Sequence, residues 1–291
     1  MILAVDIGGT KFSVAVFDGP RMARRESRFT DAGGGRVWMM EQLEAIIWTW
    51  RKEFAFEACG IGFGGPVNFA AQRVVLSTHV GGWADFDLSG AVSRLAEAPA
   101  ILDNDANAGA VGEGEFGAGK GCSPLLYMTL STGIGGGIYE GGRVWRGADS
   151  YAGEIGHLTV RPDGPECLCG ARGCLERMCS GLWLARDHGR EAKELMFDPG
   201  FVDRYIVDLA RGLKAAIMLL NPARIVIGGG ISKAGDRLFV PLRTELQRQI
   251  TAWSRARIEV CPAALGDDSV LYGAYHLAAC TPPHSRPCVK D

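Results

Sequence analysis

The sequence predicts an α/β protein built from two related lobes, and three observations carry that prediction. Leu3–Val5 is an apolar run ending at Asp6. The turn Gly8-Gly9-Thr10 follows, and then Phe12, Val14 and Val16 alternate with small residues as far as Asp18-Gly19. This reads as two strands joined by a tight glycine turn. The same unit returns as the run Leu125–Leu130, the turn Ser131–Gly136 and the run Gly137–Tyr139, which turns again at Glu140-Gly141-Gly142. Each unit is followed by helical and strand patterns, the arrangement of an α/β lobe. Two lobes whose phosphate-type turns face each other would make a cleft.

The elements follow in order. Val37, Met40, Leu43, Ile46, Ile47 and Trp50 recur at helical spacing over 37–50. Cys59–Phe63 reads as a buried strand closed by Gly64-Gly65-Pro66, Leu88–Glu97 as a helix, and Ala100–Leu102 as a strand leading to Asp103-Asn104-Asp105. Ala106–Glu115 is then helical. A long helix over 202–220 carries Val202, Ile206, Leu209, Leu213, Ile217 and Leu220 on one stripe and stops at Pro222. Arg224–Ile227 is a strand ending in Gly228-Gly229-Gly230. Asp236–Trp253 is a helix with Leu238, Leu242, Leu246, Ile250 and Trp253 on one face, and Ser269–Cys280 is a final helix. We divide the chain into a small α/β lobe over 1–110, on which the helix at 269–280 packs back, and a large α/β lobe over 111–268. The proline-bearing tail, 281–291, is expected to fray.

Composition narrows the function classes. The chain has 291 residues, 47% apolar and 22% charged, with a formal net charge of -2. That is ordinary for a folded soluble protein. The charge balance argues against nucleic acid as a partner. No apolar run reaches the roughly 18 residues that a membrane span needs, and the start meets Asp6 with no basic region before it, unlike a signal peptide. Cytoplasm is the expected location. Glycine is the outlier, 41 residues where average usage gives roughly 20. The glycines cluster after apolar runs, where backbone turns sharply or lies against a ligand. Three of the nine cysteines crowd into 167–174, which in a reducing compartment points to metal before disulfide.

Five constellations could carry chemistry. In Asp6-x-Gly8-Gly9-Thr10-Lys11, a glycine turn lets backbone N–H groups converge on phosphate oxygens. Thr10 adds a hydroxyl and Lys11 a cation, and Asp6 can hold Mg²⁺ directly or through water. The same residues also fit a plain hairpin with a solvated lysine, but a second turn bearing Thr132 and Gly133 weighs toward a ligand. Asn104-Asp105 stands between a strand and a helix. A carboxylate there serves as a helix cap, or, facing a phosphate site, accepts a hydroxyl proton during phosphoryl transfer. His157 with Cys167, Cys169 and Cys174 has the donors of a closed tetrahedral Zn²⁺ site, structural and not catalytic, with Cys179 as a rival ligand and buried free thiols as the alternative. Glu154 and Glu176 flank that loop and suit a polyhydroxylated ligand. Gly228-Gly229-Gly230 could lie against a flat ring or simply turn.

Taken together, Asp6-Ile7-Gly8-Gly9-Thr10-Lys11, Asn104-Asp105-Ala106-Asn107, Leu130–Gly137, Glu154-Ile155-Gly156-His157, Cys167-x-Cys169-Gly170-x-x-Gly173-Cys174-x-Glu176 and Ile227–Gly230 resemble the ordered motif set of the ROK family of repressors and bacterial sugar kinases. The resemblance runs from Leu3 to about Ala278. It implies the two-lobed actin/hexokinase-like (ribonuclease H-like) α/β fold with a structural zinc loop, closing on a sugar and ATP. It implies Asp105 as the catalytic base. It implies Gly65, Asn104, Asp105, Glu154, His157 and Glu176 at the sugar, with His157, Cys167, Cys169 and Cys174 on zinc. It places Asp6, Gly8, Gly9, Thr10, Lys11, Thr132 and Gly133 at the phosphates and Mg²⁺, and Gly229 near the adenosine. A homodimer is usual among such proteins.

The expected activity is therefore ATP-dependent phosphorylation of a hexose at O6, glucose first. N-acetylmannosamine, N-acetylglucosamine, fructose and allose are the alternatives. One departure bears on that choice: His79-Val80-Gly81-Gly82-Trp83 stands where family members often carry Asn-Leu-Pro-Gly-Trp. A sugar-responsive repressor is the rival from another class. It is disfavoured because the first strand begins at residue 2 or 3, leaving no room for a preceding helix-turn-helix. A nicotinamide dehydrogenase is discounted because Ile138-Tyr139 continues as a strand where a dinucleotide-binding unit needs a helix.

Overall fold

A strand that opens on an unbroken apolar run must be covered on both faces there, and β1 (Ile2–Ile7) is such a strand, with Leu3, Ala4 and Val5 wholly buried ahead of Asp6. The computed structural model describes residues 1–252 and 259–280. Its first unit comprises residues 1–112, 146–151 and 268–280, and its second comprises 113–145 and 152–267. In unit 1, β1 pairs antiparallel with β2 (Lys11–Asp18), which pairs antiparallel with β3 (Arg21–Phe29). The chain then forms α1 (Gly35–Trp50), β4 (Ala58–Phe63), a short hairpin of β5 (Val67–Asn68) and β6 (Arg73–Val74), α2 (Leu88–Ala96), β7 (Ala100–Asn104) and α3 (Asp105–Phe116). The main sheet has the order β3-β2-β1-β4-β7, with β1, β4 and β7 parallel.

The pleat sorts the side chains. Leu3, Val5 and Ile7 of β1 and Cys59, Ile61 and Phe63 of β4 join the core beneath α1 and α2. The opposite face of β4 carries Gly60 and Gly62, against which α9 (Ser269–Cys280) lies so closely that a Cβ on Gly60 would run into the Ala274 backbone. The small residue there is what lets a helix sit on the sheet.

Unit 2 repeats this plan. β8 (Leu125–Leu130), β9 (Ile134–Glu140) and β10 (Arg143–Val144) are followed by the short helices α4 (Leu175–Cys179), α5 (Gly181–His188) and α6 (Ala192–Leu195). Then come α7 (Pro199–Leu220), β11 (Arg224–Gly228), α8 (Asp236–Gln249) and β12 (Val260–Pro262). The sheet order is β10-β9-β8-β11-β12. Its first strand again pairs antiparallel with its second and parallel with its fourth. Both sheets thus run third, second, first, fourth, fifth. The core gathers Leu209, Leu213, Leu242 and Leu246, all fully buried.

The elements differ from the sequence reading in places. In α1 the buried stripe is Met39, Leu43, Ile46, Ile47 and Trp50, while Val37 is exposed. The helix starts at Gly35, so its first turn stands clear of the core. The edge strand β3 has no counterpart in the sequence reading, because both of its faces carry charged residues. Arg146–Tyr151, counted there with the large lobe, groups with unit 1; the Arg146 guanidinium pairs at 2.6 Å with the buried Asp103 carboxylate of that unit. α8 ends at Gln249, where Ile250 turns extended. Trp253 and the tail at 281–291 lie outside the described residues. Among the described residues no helix is long and apolar enough to cross a membrane.

Candidate active site

In an open α/β sheet, ligands gather beyond the carboxyl ends of the parallel strands. In unit 1 those ends are Ile7 of β1, Phe63 of β4 and Asn104 of β7. The residues that follow them are Gly8–Lys11, Gly64-Gly65 and Asp105. The first turn is closed by the Gly8 N–H donating to the Lys11 carbonyl at 3.0 Å, and it is braced from outside by Thr30, whose hydroxyl donates to the Gly8 carbonyl at 2.9 Å. His79 packs on this turn: a Cβ on Gly9 would lie 2.9 Å from His79 Cβ. Asp6 stands one residue inside the strand, paired with Ser13 and Gly62 across the sheet.

Asn104 and Asp105 divide their labour. The Asn104 side-chain oxygen accepts the N–H groups of Ala106 at 2.9 Å and Asn107 at 3.2 Å, so Asn104 caps α3. Its amide nitrogen donates to the Gly65 carbonyl at 3.0 Å and anchors that loop. Asp105 accepts the Ala106 N–H at 2.8 Å through one oxygen. Its other oxygen faces Gly64. A methyl group on Gly64 would touch Asp105 Oδ2 at 3.4 Å, Gly8 Cα at 3.5 Å and the Ile7 carbonyl at 3.2 Å. The carboxylate and the glycine turn therefore lie on two sides of one methyl-sized space.

In unit 2 the matching ends are Leu130 and Gly228. The Ser131 N–H donates to the Gly133 carbonyl at 3.0 Å, and the carbonyls of Ser131 and Thr132 accept the first N–H groups of α5, from Gly181 at 2.7 Å and Leu182 at 3.1 Å. Gly229 has φ +87°, and a Cβ there would sit 2.5 Å from the Leu130 carbonyl oxygen. The third glycine cluster is thus required by the meeting of β8 and β11. Glu176 on α4 accepts the Ile134 N–H at 2.8 Å and ties the second turn to the cysteine loop. His157 Nε2 lies 4.0 Å from a Glu154 carboxylate oxygen. Burial holds the Glu154 carboxyl above the usual carboxylate range; His157 opposes that rise and Glu176 adds to it.

The ligating atoms of His157, Cys167, Cys169 and Cys174 all lie within 4.8 Å of one another. The two sulfurs of Cys169 and Cys174 are 3.6 Å apart, close to the roughly 3.8 Å that tetrahedral geometry sets for sulfurs each about 2.3 Å from zinc. The loop is folded for this. Gly170, at φ +86°, turns between Cys167 and Cys174, and its N–H donates to the Cys167 carbonyl at 3.0 Å. Burial pushes the Cys174 thiol up to about 12 and raises Cys167. Cys169 is lowered against its own burial by the Ala171 N–H and the neighbouring thiols. Three sulfurs so crowded favour a cation among them. Cys179 is not in this cluster; it is wholly buried in the unit 2 core.

Sequence reasoning did not single out a cavity of about 190 Å³ in unit 2, lined by Met196, Phe197, Gly230, Ile231, Lys233 and Arg237 among others. The Arg237 guanidinium stacks 3.9 Å from the exposed Phe197 ring. The glycine cluster signalled the place, but the aromatic platform comes from a loop about 30 residues earlier in the chain and had no motif of its own.

The two equal sheet plans, each with a glycine turn at its first strand end, define an α/β protein built from a repeated unit. Residues 2–280 match the ROK family, and the chain belongs to it. It is 31% identical over 303 residues to the glucokinase of Thermotoga maritima, across 94% of this chain and 95% of that protein. The crystal structure of a ROK hexokinase from Thermus thermophilus is similar at 32% identity and TM-score 0.78, covering 96% of this chain and 97% of that one. A ROK family glucokinase from Streptomyces griseus, solved with glucose and AMPPNP, superposes at TM-score 0.83 with 29% identity, covering 96% and 99%.

Proposed function

We propose that this chain is an ATP-dependent sugar kinase that transfers the γ-phosphoryl group to O6 of a hexose, with glucose as the preferred acceptor. The supporting observation is the position of Asp105. Asn104 caps α3, so Asp105 is not needed as the cap, and its carboxylate borders the Gly8 turn across the Gly64 gap. Such a placement suits a base that takes the hydroxyl proton while the hydroxyl oxygen bonds to phosphorus and ADP leaves. The kinship with proteins named glucokinase supports the acceptor.

The remaining roles follow from chemistry. Gly9, Thr10 and Lys11 of unit 1, and Thr132 and Gly133 of unit 2, would offer N–H groups, hydroxyls and a cation to phosphate oxygens, while Gly8, whose own N–H closes the turn on the Lys11 carbonyl, would let phosphate approach the bare backbone. Asp6 would hold Mg²⁺, which supplies charge neutralisation on the phosphates when bound. Gly65, Asn104, Glu154, His157 and Glu176 offer a polar set for sugar hydroxyls. Gly229 and the Phe197–Arg237 stack suit a nucleoside base. The three thiols and His157 fit Zn²⁺, which would staple the loop that carries Glu154 and Glu176.

A coupled ADP-release assay over glucose, mannose, N-acetylmannosamine, N-acetylglucosamine, fructose and allose tests this reading. Glucose should give the highest kcat/KM. Asp105→Asn should lower kcat by about 10² or more while sugar binding persists. Wild-type turnover in that variant removes Asp105 from the role, and a preference for an N-acetylated sugar moves the acceptor assignment.

A further inference from the structure

We propose that Arg146 is a positioning residue for the Asn104-Asp105 pair and acts through the Asp103 carboxylate; the inference rests on the kinase reading above. Asp103 is the next-to-last residue of β7, and its side chain is only 2% exposed. Its four lone-pair directions are all used. Oδ1 accepts the Asn104 N–H at 2.8 Å and the Asn107 side-chain amide at 3.0 Å. Oδ2 accepts Arg146 Nε at 3.0 Å and Nη2 at 2.6 Å. A carboxylate accepts about this many bonds and no more.

The guanidinium is itself held. It lies 3.6 Å from the centre of the Phe69 ring, and the Phe69 N–H donates to the Ser150 hydroxyl at 3.3 Å. The short segment 146–151 is thus gripped at two points by unit 1, although the chain on either side of it belongs to unit 2. From Asp103 the chain of contacts is short. Asp103 fixes the Asn104 backbone N–H and the Asn107 amide. Asn104 caps α3 and holds the Gly65 carbonyl. Asp105 is the next residue. Loss of the guanidinium leaves a buried carboxylate without its countercharge, so Asp103 must turn or draw in water. Either change frees the Asn104 N–H and loosens the first turn of α3, on which Asp105 sits. Arg is needed because its planar fork brings two N–H groups, from Nε and Nη2, onto the one oxygen Oδ2 in a fixed geometry, which the point charge of Lys does not reproduce.

The test is steady-state kinetics of Arg146→Met, Arg146→Lys and Asp103→Asn, paired with amide hydrogen exchange of the full chain. Misplacing a base by about an ångström lowers turnover by up to about 10²-fold. Arg146→Met should therefore lose about 10- to 100-fold in kcat at constant KM for ATP, and Arg146→Lys should recover part of it. The Arg146→Met/Asp103→Asn double variant should lose no more than the worse single variant. Exchange at Asn104, Ala106 and Asn107 should speed at least about tenfold in Arg146→Met. If that variant does not fold, Arg146→Lys carries both measurements. Wild-type kcat in a folded variant, with Asp105→Asn inactive, overturns the positioning role alone. If the unaltered protein phosphorylates no sugar, the kinase reading fails, and the exchange rates still decide the pair: unchanged protection overturns it.

Discussion

At the scale of single residues, the site depends on groups that do not themselves react. Gly64 is one. A methyl group there meets Asp105, Gly8 and the Ile7 carbonyl together. The tight one, at 3.2 Å, is to the Ile7 carbonyl, which is backbone and cannot step aside as a side-chain end can, while the methyl group would fill the space between Asp105 and Gly8 at ordinary contact distance. Gly64→Ala should therefore lower kcat/KM at least about tenfold while the melting temperature moves by only a few degrees, as read by paired kinetics and calorimetry. Asn104 and Asp105 were legible in the sequence as neighbours at a helix start. Their division of labour was not, because the Gly65 carbonyl that orients Asn104 lies 39 residues away in the chain. Arg146 was illegible for the same reason, being 43 residues from the aspartate it serves.

At the scale of elements, the cysteine loop and α3 carry separate loads. The loop bonds to the second glycine turn through Glu176 and Ile134, so loosening it should be felt beyond the cysteines. Purified protein should contain about one zinc per chain by elemental analysis. Cys169→Ser or a strong chelator should remove it, lower the melting temperature and raise the sugar KM. Unaltered protein purified without zinc would show that the four ligands are not a metal site, and a zinc-free variant of wild-type activity and melting temperature would show that the metal staples nothing. Spacing alone made this loop readable, since donor type and separation are written in sequence. In α3, Glu113 is wholly buried and accepts N–H groups from Ala118 at 2.8 Å, Ala264 at 3.0 Å and Leu265 at 2.9 Å. Glu113→Ala strands three donors, each worth about 1–3 kcal/mol, and should cost about 3 kcal/mol or more in urea unfolding. Nothing in the sequence marked this residue, because two of its three partners are backbone amides about 150 positions on.

At the scale of the whole molecule, the repeated glycine turn foretold two related units and the first strand pairing of each, since a strand, turn and strand pattern sets that pairing; the order of the remaining strands comes from the structure. It did not foretell β3, whose charged faces hide its strand period, nor the return of residues 146–151 to unit 1. The unit 2 core also predicts how stability responds to pH. Tyr205 is fully buried, its hydroxyl donating to the Cys179 carbonyl at 3.1 Å, and burial holds both the Tyr205 phenol and the Cys179 thiol well above their ordinary values. The folded protein keeps these protons longer than the unfolded chain does. Their contribution is complete below about pH 9 and fades as pH climbs through the unfolded values near 9 and 10. Melting temperature against pH should fall there, and more gently in Tyr205→Phe.

The outermost strand of the first sheet has a bearing on handling the protein. β3 presents Arg21, Arg24, Arg25, Glu26 and Arg28 along an open edge, with Arg24 and Arg25 bound to Glu53 and Asp268. A bare ladder of this length would invite a strand from another molecule, and charged side chains along it oppose that, since docking would have to strip them of water. Trading these arginines for valine or threonine would leave the fold's arithmetic nearly untouched, yet it would turn a border that refuses neighbours into one that recruits them.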